Sequence, residues 1–360
     1  MTRHIIEIQS DDFTSFWASS EYGTILNYLG EERKTLCLIF EKGLKIIDDE
    51  EIFRLDKLRQ LRDKTTIIID RNLLISARDI FQTGEILEKR HRFFCALMYY
   101  GISIDCLYDP AISLYEGGDR YNHKAIDDLQ MFRIIDNLEP QLFMNLLFGE
   151  IIKIPEQAWM EAKQKTKQTD DAEKEENYNK NLTLYKYSYP YMLKTAQLMR
   201  KQNSDLVSKI EQLLNWAIED FLMIEESLMI SMYCLKENGG IIKKHGSTNY
   251  SELIRNIQNA AWDVTMVSYF KYQAIKNEGR YYIFVSEDIN LIEAAKYFFD
   301  PRTDYKTMFG KNEKKILKMI NNANKIRDVN NRAQVVRERI KKIDSITASL
   351  EVELKSLLEN

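Results

Sequence analysis

The run Thr65-Thr66-Ile67-Ile68-Ile69 is β-branched throughout and carries no charge, the pattern of a strand buried on both faces. It ends on Asp70, and after Arg71-Asn72 the residues Leu73 to Phe81 place apolar side chains at helical spacing. Strand, acid and helix therefore follow one another, with Asn72 expected to cap the helix over 72–82. A further helix is predicted over 85–100, and the alternation Ile102-Ser103-Ile104-Asp105-Cys106-Leu107 predicts a second strand. Asp109-Pro110 signals a helix start, Ala111 to Glu116 a short helical segment that Gly117-Gly118 would end, and a longer helical pattern then runs to Leu138.

Residues 139–250 read as almost wholly helical, interrupted by Glu161 to Lys180, where 11 of 20 residues are charged and no apolar stripe survives. Such a stretch is a solvated helix or a linker. Ser251 to Ile275 predict a long amphipathic helix with the stripe Leu253, Ile257, Ala260, Ala261, Val264 and Val267, and Asp263 lies beside that stripe. Tyr281 to Ser286 then repeat the opening logic: a buried strand, the acids Glu287-Asp288, and a helix over Ile289 to Phe299. In the last fifty residues Val336, Ile340, Ile343, Leu350, Leu354 and Leu357 fall on alternating four- and three-residue steps, with Thr347 filling the remaining place, as in a coiled coil.

The alternation of strands and helices predicts an α/β protein. Five segments are expected: an N-terminal αβ portion (1–64), a first core part (65–138), a helical insertion (139–250), a second core part (251–302) and a basic helical tail (303–360). With 13 Gly and 5 Pro among 360 residues, few tight turns are available, which disfavours an all-β sandwich. Cys37, Cys95, Cys106 and Cys234 are scattered without CxxC spacing, and the four histidines form no ligand pattern beside them, so a zinc site is not expected. Absence of a long apolar run or a signal-peptide core predicts a cytoplasmic protein without a membrane partner. The formal net charge is -4, yet Lys311 to Asp344 hold 11 Lys/Arg against 4 Asp/Glu, so any nucleic-acid contact would use a local patch.

Four acids stand where open α/β sheets gather ligands: Asp70 after one strand, Glu116 on a following helix, Asp263 on the long helix and Asp288 after a later strand. Converging carboxylates supply the oxygen ligands that Mg²⁺ or Mn²⁺ prefer. Asp70-Arg71-Asn72, a helical acid, Ala261-Trp262-Asp263 and Ser286-Glu287-Asp288 together resemble the PIN-like nuclease family, whose pattern is a D-x-N after the first strand, a Glu and an Asp on helices, and an S/T-x-D after a further strand. The resemblance covers 65–138 and 250–302. It implies a PIN-like parallel sheet flanked by helices, here enlarged by a helical insertion and a C-terminal helical tail. It also implies a Mg²⁺ or Mn²⁺ site held by Asp70, Glu116, Asp263 and Asp288, with Asn72 orienting Asp70 or a water. Glu225 or Glu226 could stand in place of Glu116.

Each acid has a second reading. Asp70, Asn72 and Asp288 are good helix caps, Asp263 could pair with Lys271 or Arg255, and Glu116 could terminate a turn. The function that the resemblance implies is metal-dependent hydrolysis of phosphodiester bonds, RNA ahead of DNA, in a toxin-like or antiviral defence effector with an inhibitor or activating partner. The alternative is a non-catalytic scaffold that oligomerises or binds a partner through the coiled-coil tail. The Tyr-rich run Tyr185-Lys186-Tyr187-Ser188-Tyr189 is expected to serve helix packing ahead of base stacking.

Overall fold

The computed structural model describes residues 20–47, 49–54, 58–86, 88–121, 125–166, 182–201, 204–299, 306, 309–329 and 332–359. Packing divides the chain into two compact units, Met1–Asn177 with Asn277–Glu287, and Tyr178–Lys276 with Asp288–Asn360. The late strand thus belongs with the N-terminal half of the chain. The helices before and after it belong to the other unit.

The first unit contains α1 (Ser20–Glu32), β1 (Thr35–Phe40), β2 (Leu44–Ile47), the one-turn α2 (Asp49–Ile52) and α3 (Leu58–Leu61), β3 (Thr65–Ile69), α4 (Arg71–Thr83), α5 (Lys89–Ser103), β4 (Leu107–Asp109), α6 (Ala111–Tyr121), α7 (Ala125–Asp136), α8 (Pro140–Phe148), α9 (Glu156–Lys165) and β5 (Tyr281–Val285). Its strands form one sheet in the order β2-β1-β5-β3-β4. β3 runs parallel to both neighbours, with Ile69 opposite Val285 and Ile68 opposite Asp109. β1 runs antiparallel to β5 and to β2.

The sheet is therefore mixed, where the sequence predicts a parallel one. The difference comes from residues 1–64, which contribute two strands to the common sheet. β1 and β2 are joined by a loop of three residues between Phe40 and Leu44, and a loop that short can only connect antiparallel strands. Gly43, at φ +145°, lets the chain reverse there. All five residues of β3 are buried, as the unbroken β-branched run requires.

The strand expected over 102–107 is helical to Ser103 and extended only from Leu107. An alternation of apolar residues also suits a helix end when both faces are covered. Ser103 shares a 2.6 Å hydrogen bond with Tyr22 of α1, Ile104 is fully buried, and Asp105 at φ +50° turns the chain into β4. Helix α5 begins at Lys89, with Glu88 and His91 forming its capping box, so 85–88 lies before it. Of the charged stretch from Glu161 to Lys180, α9 takes the part to Lys165, and 167–180 lies outside the described residues.

The second unit holds α10 (Thr183–Arg200), α11 (Leu206–Glu219), α12 (Glu225–Lys236), α13 (Tyr250–Lys276), α14 (Ile289–Phe299), α15 (Glu313–Val329), α16 (Arg332–Lys341) and α17 (Ile343–Glu359), and all its described secondary structure is helical apart from one 3-10 turn at Gly310–Asn312. Helix α10 is its spine, packed on α12, α13 and α17. The predicted stripe of α13, from Leu253 to Val267, is buried throughout. Tyr185 stacks on Trp262 at 4.6 Å and on Tyr189 at 5.7 Å, so these aromatics of the Tyr-rich run are engaged in helix packing.

The heptad-like tail is broken at Lys342 into two helices. Ile343, Leu350 and Leu354 are buried, Tyr189 donates to Glu351 at 2.6 Å, and Gln197 donates to the Leu350 carbonyl at 2.8 Å. Arg339 donates to the carbonyls of Glu219 and Phe221 at 2.7 and 2.9 Å, closing the end of α11 where carbonyls lack helical partners. The apolar repeat is thus covered within its own unit at Ile343, Leu350 and Leu354, while Ile340 and Leu357 are exposed. Leu354→Ala, at a fully buried position, should cost roughly 2–5 kcal/mol. Leu357→Ala, at 42% exposure, should change stability by under about 0.5 kcal/mol. Denaturant midpoints measured at two protein concentrations check both; equal losses that depend on concentration would show the repeat to be a seam between chains.

Candidate functional site

Parallel pairing sets the site. Because β3, β4 and β5 run the same way, their carboxyl ends share one edge of the sheet, and Asp70, Asp109 and Ser286 arrive there together. The antiparallel β1 brings its amino end to the same edge, where the Lys34 carbonyl accepts the Ser286 N–H at 3.0 Å.

Asp70 is 3% exposed. It occupies the N-cap position of α4, yet its carboxylate makes no capping hydrogen bond. Its Oδ2 instead accepts the Ser286 hydroxyl at 2.6 Å and the Asn72 amide at 3.2 Å. The backbone does the capping, since the Asp70 carbonyl accepts from Leu73 and Leu74 while its N–H donates to Val285. Asn72, expected to cap the helix, instead lies inside the first turn of a helix that starts at Arg71. A buried carboxylate needs compensating donors, and here one comes from the end of the neighbouring strand and one from the first turn of α4.

Arg71, which the sequence did not single out, ties the surrounding helices. Its guanidinium, 4% exposed, donates to Asp128 of α7 at 2.7 Å and to the Ser113 carbonyl of α6 at 3.5 Å. Ser113 in turn donates to the carbonyl of Ile69, at the end of β3. These bonds fix α6 over the strand end. Glu116 lies one turn past Ser113 on that helix and is buried.

Gly117 and Gly118 do not end the helix, which runs on to Tyr121. A Cβ at Gly117 would lie 2.6 Å from Nη1 and 2.8 Å from Cζ of Arg71. Glycine is present because the guanidinium packs against the backbone, and close approach in place of chain termination is the signal that a Gly-Gly pair in a helical pattern can carry. Asp109 caps α6 by accepting the Ala111 N–H at 3.0 Å.

The remaining predicted residues belong to the second unit. Asp288 caps α14, accepting the Asn290 N–H at 3.1 Å, and pairs with Lys243 at 2.8 Å. Asp263 is half-buried on α13, near Cys234, whose thiol is pushed up to about 12 by burial with an added contribution from that carboxylate. Glu225 and Glu226, the stand-ins for Glu116, both pair with Lys271 at 2.8 Å. Their role in the second unit is a clasp between α12 and α13.

Glu287, next to Ser286, is half-buried, and burial raises its carboxyl above the usual range against the opposing pull of Lys34 and Arg90. Among the described residues, no three His, Cys, Asp or Glu side chains gather to hold an ion by themselves. The donors of the first unit are nevertheless of the right kind. Two buried carboxylates, a hydroxyl and an amide are hard oxygen ligands or their supports, and Mg²⁺ binds through one or two carboxylates while keeping several waters.

Gly117→Ala should destabilise the protein by roughly 1–3 kcal/mol, because the new Cβ displaces Arg71. Gly23→Ala, in α1 with nothing within 4 Å of the added Cβ, should stabilise it by up to about 1 kcal/mol through helix propensity. Urea midpoints of the two variants should move in opposite directions, and a shared upward shift would remove the packing role given to Arg71. Comparison of the chain with protein-family models, with curated proteins and with solved structures finds no match, so the residues of the site carry the functional reading by themselves.

Proposed function

We propose that the chain is a metal-dependent phosphodiester hydrolase, an endoribonuclease of PIN-like character, with Asp70 and Glu116 as the ion-holding carboxylates of the first unit. The observation that carries this reading is the state of Asp70. It stands at a helix N-cap without capping, and its carboxylate is turned toward a serine from the adjacent parallel strand. A purely structural N-cap acid would use its oxygens on the helix N–H groups.

Bound Mg²⁺ or Mn²⁺ supplies activation of water and stabilisation of a leaving oxygen. The protein's part is to fix the ligands. Ser286 and Asn72 set the plane of the Asp70 carboxylate, while Arg71, Asp128 and Ser113 fix α6, the helix that carries Glu116, over the end of β3. Asp263 and Asp288, the other two acids of the resemblance, belong to the second unit, and the proposal rests on Asp70 and Glu116.

Cleavage of single-stranded RNA with Mn²⁺ is the measurement. Asp70→Asn and Glu116→Gln should abolish it, and Ser286→Ala, which leaves both carboxylates in place, should reduce it roughly 10- to 100-fold. Wild-type rates in Asp70→Asn and Glu116→Gln would end the proposal.

A further inference from the structure

The exposed face of α15 is a lysine stripe. Lys314, Lys315, Lys318 and Lys325 are exposed on it, Lys311 precedes them in the 3-10 turn, and Asn321 and Asn322 fill the turn between Lys318 and Lys325. Steps of three and four residues put these side chains on one side of the helix, at about one lysine per 5.4 Å turn except where the asparagines stand. Among the described residues, none of the five lysines forms an ion pair. The opposite face is taken up by packing. Ile316 and Ala323 are buried, and α15 lies against α11.

An ordinary solvated helix face in this protein carries both signs, as α9 does with Glu156, Glu161, Lys163 and Lys165. Between Lys311 and Lys325 the only acid is Glu313, in a chain whose net charge is -4. Separation of charge on that scale costs self-repulsion and is relieved by a polyanion.

We infer that the Lys/Asn face of α15 binds the phosphate backbone of a nucleic acid without reading its sequence. Lysine stems reach successive phosphates as point charges, and asparagine amides donate to phosphate or sugar oxygens. A bilayer fits less well, because an interfacial helix must present an apolar face to the lipid and that of α15 is already covered. Binding at this face does not depend on the strand-edge acids being catalytic.

The test is fluorescence anisotropy of a labelled single-stranded RNA of about 20 nucleotides with the full chain, in EDTA so that no cleavage intervenes. The combined Lys314→Gln, Lys318→Gln, Lys325→Gln variant should bind roughly tenfold more weakly at moderate salt, and the slope of log K against log salt should fall in magnitude by about 2, near 0.7 for each phosphate that is no longer neutralised. The corresponding triple Lys→Arg variant should keep both affinity and slope. All three residues are exposed, and an unchanged melting temperature checks that the fold survives. Equal binding by wild type and the Gln variant overturns the inference. So does equal competition by polyglutamate, or a preference for vesicles containing anionic lipid that the same substitutions remove. Because EDTA is present throughout, an inactive strand-edge site leaves this outcome untouched.

Discussion

The first unit depends on one pairing, that of β5 with β3. β5 sits between β1 and β3, hydrogen-bonded on both sides, although it is drawn from residues 281–285. Without it the β1–β2 hairpin and the β3–β4 pair would be two-stranded pieces, each too small to be independently stable. The hydrogen bond from Ser286 to Asp70 joins residues 216 apart in sequence. Loop closure over such a distance grows only slowly with length in free energy but weighs on the rate, so sheet completion waits on a late and non-local event.

That pairing also explains why an acid can be buried at the strand edge. Asp70 sits beyond Ile69, which faces Val285 in the parallel ladder, so the next residue of β5's chain, Ser286, lies beside the carboxylate at hydrogen-bond distance. One residue of slippage would turn every side chain of β5 to the opposite face and take the serine hydroxyl away from Asp70. β3 is buried throughout and β5 from Tyr282 onward, with apolar side chains on both faces, so alternation alone does not choose their register. A polar contact at the strand end is one way to choose it, since a buried carboxylate without its donor is expensive.

Long, strongly periodic elements were legible in the sequence. The β-branched run of β3, the stripe of α13 and the strand-helix passage from Tyr281 to Phe299 all stand as predicted, because burial on one or two faces leaves a period that can be read directly. Strand direction was not legible. Nothing local in Leu36 to Phe40 says that its neighbour will be β5 running the other way, and that choice makes the sheet mixed. Gly117-Gly118 read as a stop because glycine has two uses, and only the guanidinium of Arg71 tells which applies. Of the candidate site, Asp70 and Ser286 were legible as strand-end residues. Arg71 was not, since an arginine after a strand reads as a surface residue until Asp128 and Ser113 are seen to bury it.

The Arg71–Asp128 pair has a meaning beyond stability. Both residues are buried, and a buried ion pair returns little net free energy, because desolvation consumes most of the Coulombic gain. Removing one partner, in contrast, would cost roughly 3–5 kcal/mol by stranding the other charge. Such a pair therefore works less as glue than as a constraint on arrangement. An apolar contact between α4, α6 and α7 would tolerate sliding and rotation of α6, whereas a guanidinium shared between one carboxylate and one carbonyl, pressed against a glycine, admits a single position. Glu116 rides on that helix between Ser113 and Gly117. The free energy given up in burying Arg71 and Asp128 thus makes sense as the cost of fixing the helix that carries Glu116 over the end of β3.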